Sequence, residues 1–368
     1  MKAFEYGDRL ASGKEMAFAI LAMVPASGML TFPRVLAGKV PFFDGWMALL
    51  ATGLIMLLFV AVIVRLTARF PQQTFLSYTS SIVGRPLAWL LTCAAALHFS
   101  MIVCYQTRAV AEMSSLYLFD KTPREAVGLA FLLVVIYAVL GQRIALLRIN
   151  ILFTPLVIGA LMLVALTNVG FVELGNLRPV LVLDGKQLAQ GMKESLSFFL
   201  GFENLLFYMV LAKQPGKVMK SALTGFCILI VVYVTIYFFV IGVFTNAVAQ
   251  TLVNPTGVLA KEIEMPGEFF ERFESIFFSI WIMTMFTTAA MALDIAVGAL
   301  HSVWTAVRER TWLLIVAPII MWLAMQPRNL LDVVFLDRML TVSGAALALV
   351  VPCLLLLIAK ARRLGNDE

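Results

Sequence analysis

Ten apolar stretches, each close to the 20 or so residues that cross a bilayer, constrain this chain more than any other feature. They lie near 15–36, 44–68, 86–115, 124–140, 147–168, 188–212, 218–248, 270–300, 311–326 and 334–359. Short loops carrying turn residues join them: "KVPFFDG", "RFPQQT", "DKTPRE", "KQPGK" and "MQPRN". Lipid offers no hydrogen bonds to a bare backbone, so each stretch must be helical. The chain is 61% hydrophobic and only 14% charged, where soluble domains carry about a quarter. The expected class is an all-α integral membrane protein, one transmembrane domain over 1–368. The third, seventh and eighth helices should be long, and the fourth and ninth short. The polar start "MKAFEYGDRLASGKE" lacks a cleavable-signal pattern, so the first stretch should be a retained span.

With the N-terminus inside, more than half of the 28 basic residues fall on the inner side. The outer loops at 169–187 and 246–269 and the residues just beyond collect acids, among them Glu262, Glu264, Glu268, Glu271 and Glu274. This bias places both termini in the cytoplasm. The inner basic clusters then serve as anchors to membrane lipid, not nucleic-acid contacts. Cys93, Cys104, Cys227 and Cys353 sit in apolar runs with no CxxC pair and read as buried packing residues. His98 and His301 are the only histidines, too few to suggest a zinc site, and no metal or cofactor is expected. No HExxH, nucleophile elbow or paired catalytic carboxylates point to an enzyme.

Two spans contain helix breakers. The first reads "AMVPASGMLTFPRVLAG", with Pro25, Gly28 and Pro33 inside it and Ser27 and Thr31 adding hydroxyls. The sixth reads "ESLSFFLGFENLLFYMVLAK", with Gly201 and the ionisable Glu203 in mid-span. Non-helical backbone at membrane depth survives only inside protein or against a water-filled cavity. An intramembrane carboxylate is a functional-site hypothesis in its own right. Matched breaks in the first helix of each five-helix half predict an inverted repeat, 1–168 and 169–368, around a midplane site. The freed amides and carbonyls would then be ligand-binding groups.

Several stretches carry a family resemblance: "TFPRVLA" at Thr31 to Ala37, Asp44-Gly45-Trp46, "RFPQQTFLSY" at Arg69 to Tyr78, Arg108 with Glu112, Thr122-Pro123, "RINILFTP" at Arg148 to Pro155, and "GFEN" at Gly201 to Asn204. In this order and spacing the chain resembles the B subunit of GerA-type spore germination receptors, within the amino acid–polyamine–organocation superfamily. The resemblance implies a LeuT-like core of ten helices with helices 1 and 6 broken, in the inner membrane of a bacterial spore. It implies partnership with a receptor A subunit and a lipoprotein C subunit. It also implies binding of a small-molecule germinant, often an amino acid, with signalling as the output.

The candidate substrate site combines Pro25, Ala26, Ser27, Gly28 and Thr31 of helix 1 with Phe199, Gly201, Phe202 and Glu203 of helix 6. Glu203 would meet a ligand ammonium, carry a coupling proton or line a water path; the alternative is a structural carboxylate. In the resembled fold helix 3 crosses the centre, making Tyr105 a substrate contact, while His98 reads as a satisfied core histidine. Thr284, Thr287 and Thr288 of helix 8 would face the first break. Asp294 would serve a proton or ion path or pair with a base. Arg108 and Glu112, four apart, form a gate or a structural pair. Arg148 reads as an inner anchor and Asn150 as a bond between helices. Walls of Phe and Met suggest a small neutral amino acid. Besides a sensor, a proton- or sodium-coupled amino acid transporter and a water or ion conduit fit the same residues.

Overall fold

The structure, a computed structural model, describes residues 10–24, 28–118, 121–261, 273–327 and 330–365. Pro25, Ala26 and Ser27 of the first break lie outside the described residues, as do Glu262, Glu264, Glu268 and Glu271; the side chain of Glu274 is likewise not described.

The elements in order are α1 (Gly13–Met23), α2 (Phe32–Ala37), α3 (Gly45–Ala68), α4 (Phe75–Val83), α5 (Arg85–Tyr117), α6 (Arg124–Val139), α7 (Arg143–Thr167), α8 (Gly185–Phe199), α9 (Leu205–Tyr208), α10 (Pro215–Ala249), α11 (Pro255–Lys261), α12 (Phe273–Val303), α13 (Glu309–Ala324), α14 (Leu330–Ala345) and α15 (Val351–Ala361). Among the described residues six helices are long and apolar enough to cross a membrane: Phe42–Ala68, Arg85–Ser115, Arg143–Thr167, Pro215–Ala249, Ser275–Val303 and Asp332–Ala361. The pair Gly185–Phe199 and Phe202–Leu211, bent by 47°, makes a seventh. At the other predicted positions stand the interrupted α1–α2 and two helices of 16 residues, α6 and α13. As expected, the third, seventh and eighth stretches are long, at 33, 35 and 31 residues.

Helix starts follow local chemistry. Ser12 caps α1 and Glu15 returns the bond to the Ser12 amide; Asp184 and Gln187 do the same for α8. In lipid, helices associate through close packing of small side chains. Thus α12 presents Ala289, Ala290, Ala292 and Ala296, all buried, and runs along α5. Gly225 of α10 lets Ala17 of α1 approach so closely that a Cβ would lie 3.1 Å from its carbonyl oxygen. Between α14 and α15 the helix widens into a π turn, Ala346–Val350. At the N-terminal end of the bundle, Ala11 and Ala212 form a parallel bridge, with the Ala11 N–H donating to the Leu211 carbonyl and the Lys213 N–H to that of Ala11. The cysteines depart from the expectation of uniform burial. Cys104 is buried, but Cys227 is exposed on α10, as a membrane span that shows one face to lipid allows.

Candidate functional site

The two interruptions meet in the centre of the bundle. α1 stops at Met23, and the chain resumes as the 3-10 turn Gly28–Leu30 followed by α2. α8 stops at Phe199; Leu200 is extended, and Gly201 has φ 123°, a conformation open to glycine and strained for other residues. The 3-10 turn Phe202–Asn204 then leads into α9. A Cβ on Gly28 would come 2.9 Å from the Phe198 ring. One on Gly201 would come 2.9 Å from the Met23 carbonyl oxygen and 3.1 Å from Val24 Cα. Each break therefore presses on the other, and one glycine apiece permits it.

The breaks free carbonyls and amides that cannot stay bare in a buried place. Thr288 Oγ1 donates to the Ala22 carbonyl at 2.9 Å and Thr256 Oγ1 to that of Met29 at 2.9 Å, while Asn204 Nδ2 reaches the Ala19 carbonyl, still within the α1 helix, at 3.2 Å. Around the second break the Tyr233 hydroxyl donates to the Phe198 carbonyl at 3.0 Å and that of Tyr78 to Leu206 at 3.2 Å. The Gly201 N–H donates to Glu203 Oε2 at 2.7 Å. The expectation that these groups stand open to a ligand is corrected for this state: neighbouring side chains hold them.

Glu203 is 1% exposed and His98 3% exposed. Glu203 Oε1 lies 3.4 Å from His98 Nε2, and His98 Nδ1 lies 2.8 Å from Ser343 Oγ. His98 is thus a satisfied core histidine, but its partner is the carboxylate of the break. Beside the first break, Leu21, Ala22, Met29, Thr154, Thr284 and Thr287 help to line a cavity of about 10 Å³, of the order of one water molecule. Thr287 Oγ1 donates to the Thr284 carbonyl at 3.0 Å, and Thr284 Oγ1 has no hydrogen-bond partner among the described residues. The site is closed.

The other predicted residues distribute as follows. Thr31 turns its hydroxyl to its own turn, 3.5 Å from the Gly28 carbonyl. Phe199 and Phe202 are fully buried; both pack on Phe226, and Phe199 also on Tyr233. Tyr105 is half-buried and makes no hydrogen bond to either break among the described residues. Arg108 and Glu112 form the expected pair at 2.7 Å, with Arg124 at 3.9 Å from the same carboxylate. Asn150 does bridge helices, donating to Met291 Sδ at 3.0 Å.

Asp294 pairs with a base: Arg143 Nε donates to it at 2.8 Å and the Tyr208 hydroxyl at 2.9 Å. The Arg143 guanidinium also lies 5.3 Å from the Tyr208 ring centroid, within cation–π range. Arg148, read from sequence as an inner anchor, reaches Glu15 at 3.2 Å. α7 thus ties α12 and α1 by two ion pairs on its N-terminal half. Thr256, Tyr233, Tyr208 and Ser343 were missed from sequence; their one signal was a polar group in an apolar neighbourhood.

Two interrupted helices that meet at the centre of an all-helical membrane bundle define a LeuT-like fold. Solved structures share it. MhsT in complex with L-phenylalanine superposes with TM-score 0.68 at 15% identity, over 94% of this chain and 88% of that one. Mhp1, a nucleobase-cation-symport-1 family transporter, gives 0.65 at 12% identity, over 95% and 78%. The chain belongs to the spore germination protein family, whose model matches residues 11–333. Among its relatives, spore germination protein GerLB of Bacillus cereus is 36% identical over 100% of this chain and 99% of its own length. Spore germination protein YndE of Bacillus subtilis (strain 168) is 28% identical over 94% and 95%.

Proposed function

We propose that this chain is the membrane subunit of a spore nutrient germinant receptor, binding a small germinant, an amino acid, between the two broken helices. The observation that carries this reading is the direct contact of the breaks beside a small cavity lined in part by Thr284 and Thr287. Opening the breaks would release Thr288 and Asn204 from the carbonyls of Ala22 and Ala19 and offer those groups to a zwitterion. Gly28 and Gly201 form the floor, and Glu203 faces the ammonium side. Asp294 with Arg143, and Glu15 with Arg148, hold one end shut. The germinant favours the open or re-closed arrangement by its differential affinity. The receptor A subunit and lipoprotein C subunit then read the change in the spore inner membrane, with both termini of this chain in the cytoplasm. A neighbour in fold solved with an amino acid, L-phenylalanine, supports the ligand class.

The test is the melting temperature of the purified chain, alone and within the reconstituted receptor, against each common amino acid. A rise with a few of them, lost in Thr284→Val and Thr287→Val, is expected. No rise in either preparation overturns the reading. A second reading, a coupled amino acid carrier, is favoured by the likeness in fold to Mhp1. Uptake into proteoliposomes by this chain alone, driven by a proton or sodium gradient, would establish it.

A further inference from the structure

We propose that His98 and Glu203 together form a proton-binding site at the second break, holding one proton between them. Ser343 Oγ lies 2.8 Å from the Met339 carbonyl oxygen and 3.2 Å from that of Leu340, so its single hydroxyl proton goes to its own helix. Its oxygen is left to accept, and the group 2.8 Å away is His98 Nδ1, which must therefore carry hydrogen. The other imidazole nitrogen, Nε2, faces Glu203 Oε1 at 3.4 Å. A bare nitrogen facing a bare carboxylate oxygen would set two lone pairs against each other. One proton between them removes the conflict, either as N–H on Nε2 or as O–H on Oε1. Moving it from Nε2 to Oε1 turns imidazolium and carboxylate into neutral imidazole and carboxylic acid, and the pair stays neutral in both forms.

Burial points the same way. With Glu203 and His98 1% and 3% exposed, an unpaired carboxylate here would be costly, and no other charged side chain contacts either group among the described residues. Ionisable groups on the surrounding elements are engaged elsewhere. On α1, Glu15 pairs with Arg148; at α9 and α12, Tyr208 and Asp294 pair with Arg143. Tyr105 lies seven residues beyond His98 on α5, and Asp337 six residues before Ser343 on α14; neither is hydrogen-bonded to the pair. The other oxygen of Glu203 accepts the Gly201 N–H, so the proton sits one carboxylate away from the positive-φ glycine of the break. Separating α5 from the break leaves a carboxylate apart from an imidazolium, or a free acid apart from a neutral imidazole, so opening of the break decides which partner keeps the proton.

This deepens the reading above at one of its breaks, but its test counts a proton and uses no germinant, so the two can fail separately. The full-length chain, labelled with 15N-histidine and carrying His301→Gln so that His98 is the sole imidazole, is placed in lipid nanodiscs for NMR. Infrared spectra of the same chain and of its Glu203→Gln variant are compared. The proposal expects one of two results: an imidazolium with both nitrogens protonated, or a neutral imidazole protonated at Nδ1 together with a carboxylic-acid band that disappears in Glu203→Gln. In Glu203→Gln, whose amide donates in place of the acid, His98 should stay neutral and protonated at Nδ1. A neutral imidazole, protonated at either nitrogen, with no acid band sensitive to Glu203→Gln, would mean that Glu203 is a bare anion and that the pair holds no extra proton. That result overturns the proposal.

Discussion

The two breaks solve one problem with a different share of outside help. The first is held from outside: its carbonyls at Ala19, Ala22 and Met29 take hydrogen from Asn204, Thr288 and Thr256, which stand on three other segments. The second is held partly from within, the Gly201 amide giving its hydrogen to Glu203 two residues on, while Tyr233 and Tyr78 hold the Phe198 and Leu206 carbonyls from outside. A break held by its neighbours follows them when they move. A break that binds its own amide keeps its shape until the charge of its own side chain changes. The first suits a place that responds to a ligand or to α12, and the second suits a pivot.

Gly201→Ala attacks the pivot and should have the largest effect. Positive φ in a non-glycine residue costs about 1–3 kcal/mol, and the added Cβ meets backbone of α1 at 2.9 Å rather than a side chain that can swing away. A total loss of about 4 kcal/mol and loss of the germination response are expected, read by thermal unfolding and by spore germination. Gly201→Ala with normal stability would mean that the second break is as compliant as the first.

Asp294→Asn comes next. Breaking a fully buried pair costs about 3–5 kcal/mol, but the Arg143 side chain is 33% exposed and can recover some water. About 2 kcal/mol is expected, with leakier closure seen as faster labelling of a cysteine placed at Thr284. Thr288→Val, which strips the donor from the Ala22 carbonyl while keeping shape, should cost about 1–2 kcal/mol. It should loosen the first break without altering the second, so the state of His98 should not change. A change there would erase the distinction between the two. The smallest effect belongs to Arg108→Gln, about 0.5–1 kcal/mol in thermal unfolding, because its Glu112 partner is 25% exposed and within reach of Arg124.

Much of this was legible in the sequence. Helix positions followed from apolar length alone. The breaks could be located because Gly28, Pro33, Gly201 and Glu203 are residues that a lipid-facing helix avoids. The Arg108–Glu112 pair was readable because its spacing is local. What stayed hidden was long-range. Asp294 could be given a basic partner but not Arg143, 151 positions away and outwardly a loop charge. Thr256 and Tyr233 looked like ordinary polar residues until folding set them beside orphaned carbonyls. Phe199 and Phe202, expected as walls of the site, were ambiguous because an aromatic ring fills a core as readily as it lines a cavity. His98 illustrates the same limit: its burial was foreseen, but a partner 105 residues away could not be read from spacing.

The small size of the cavity beside the first break bears on sensitivity. With room for about one water, this cavity is too small for an amino acid, so on the proposed reading a germinant would meet only the fraction of molecules in which the breaks have parted. Its apparent dissociation constant is the intrinsic one divided by that fraction. The nutrient threshold at which a spore wakes would then be set as much by the ion pairs on α7 as by any atom that touches the nutrient. Substitutions far from the site could move that threshold by orders of magnitude while leaving the choice of nutrient unchanged.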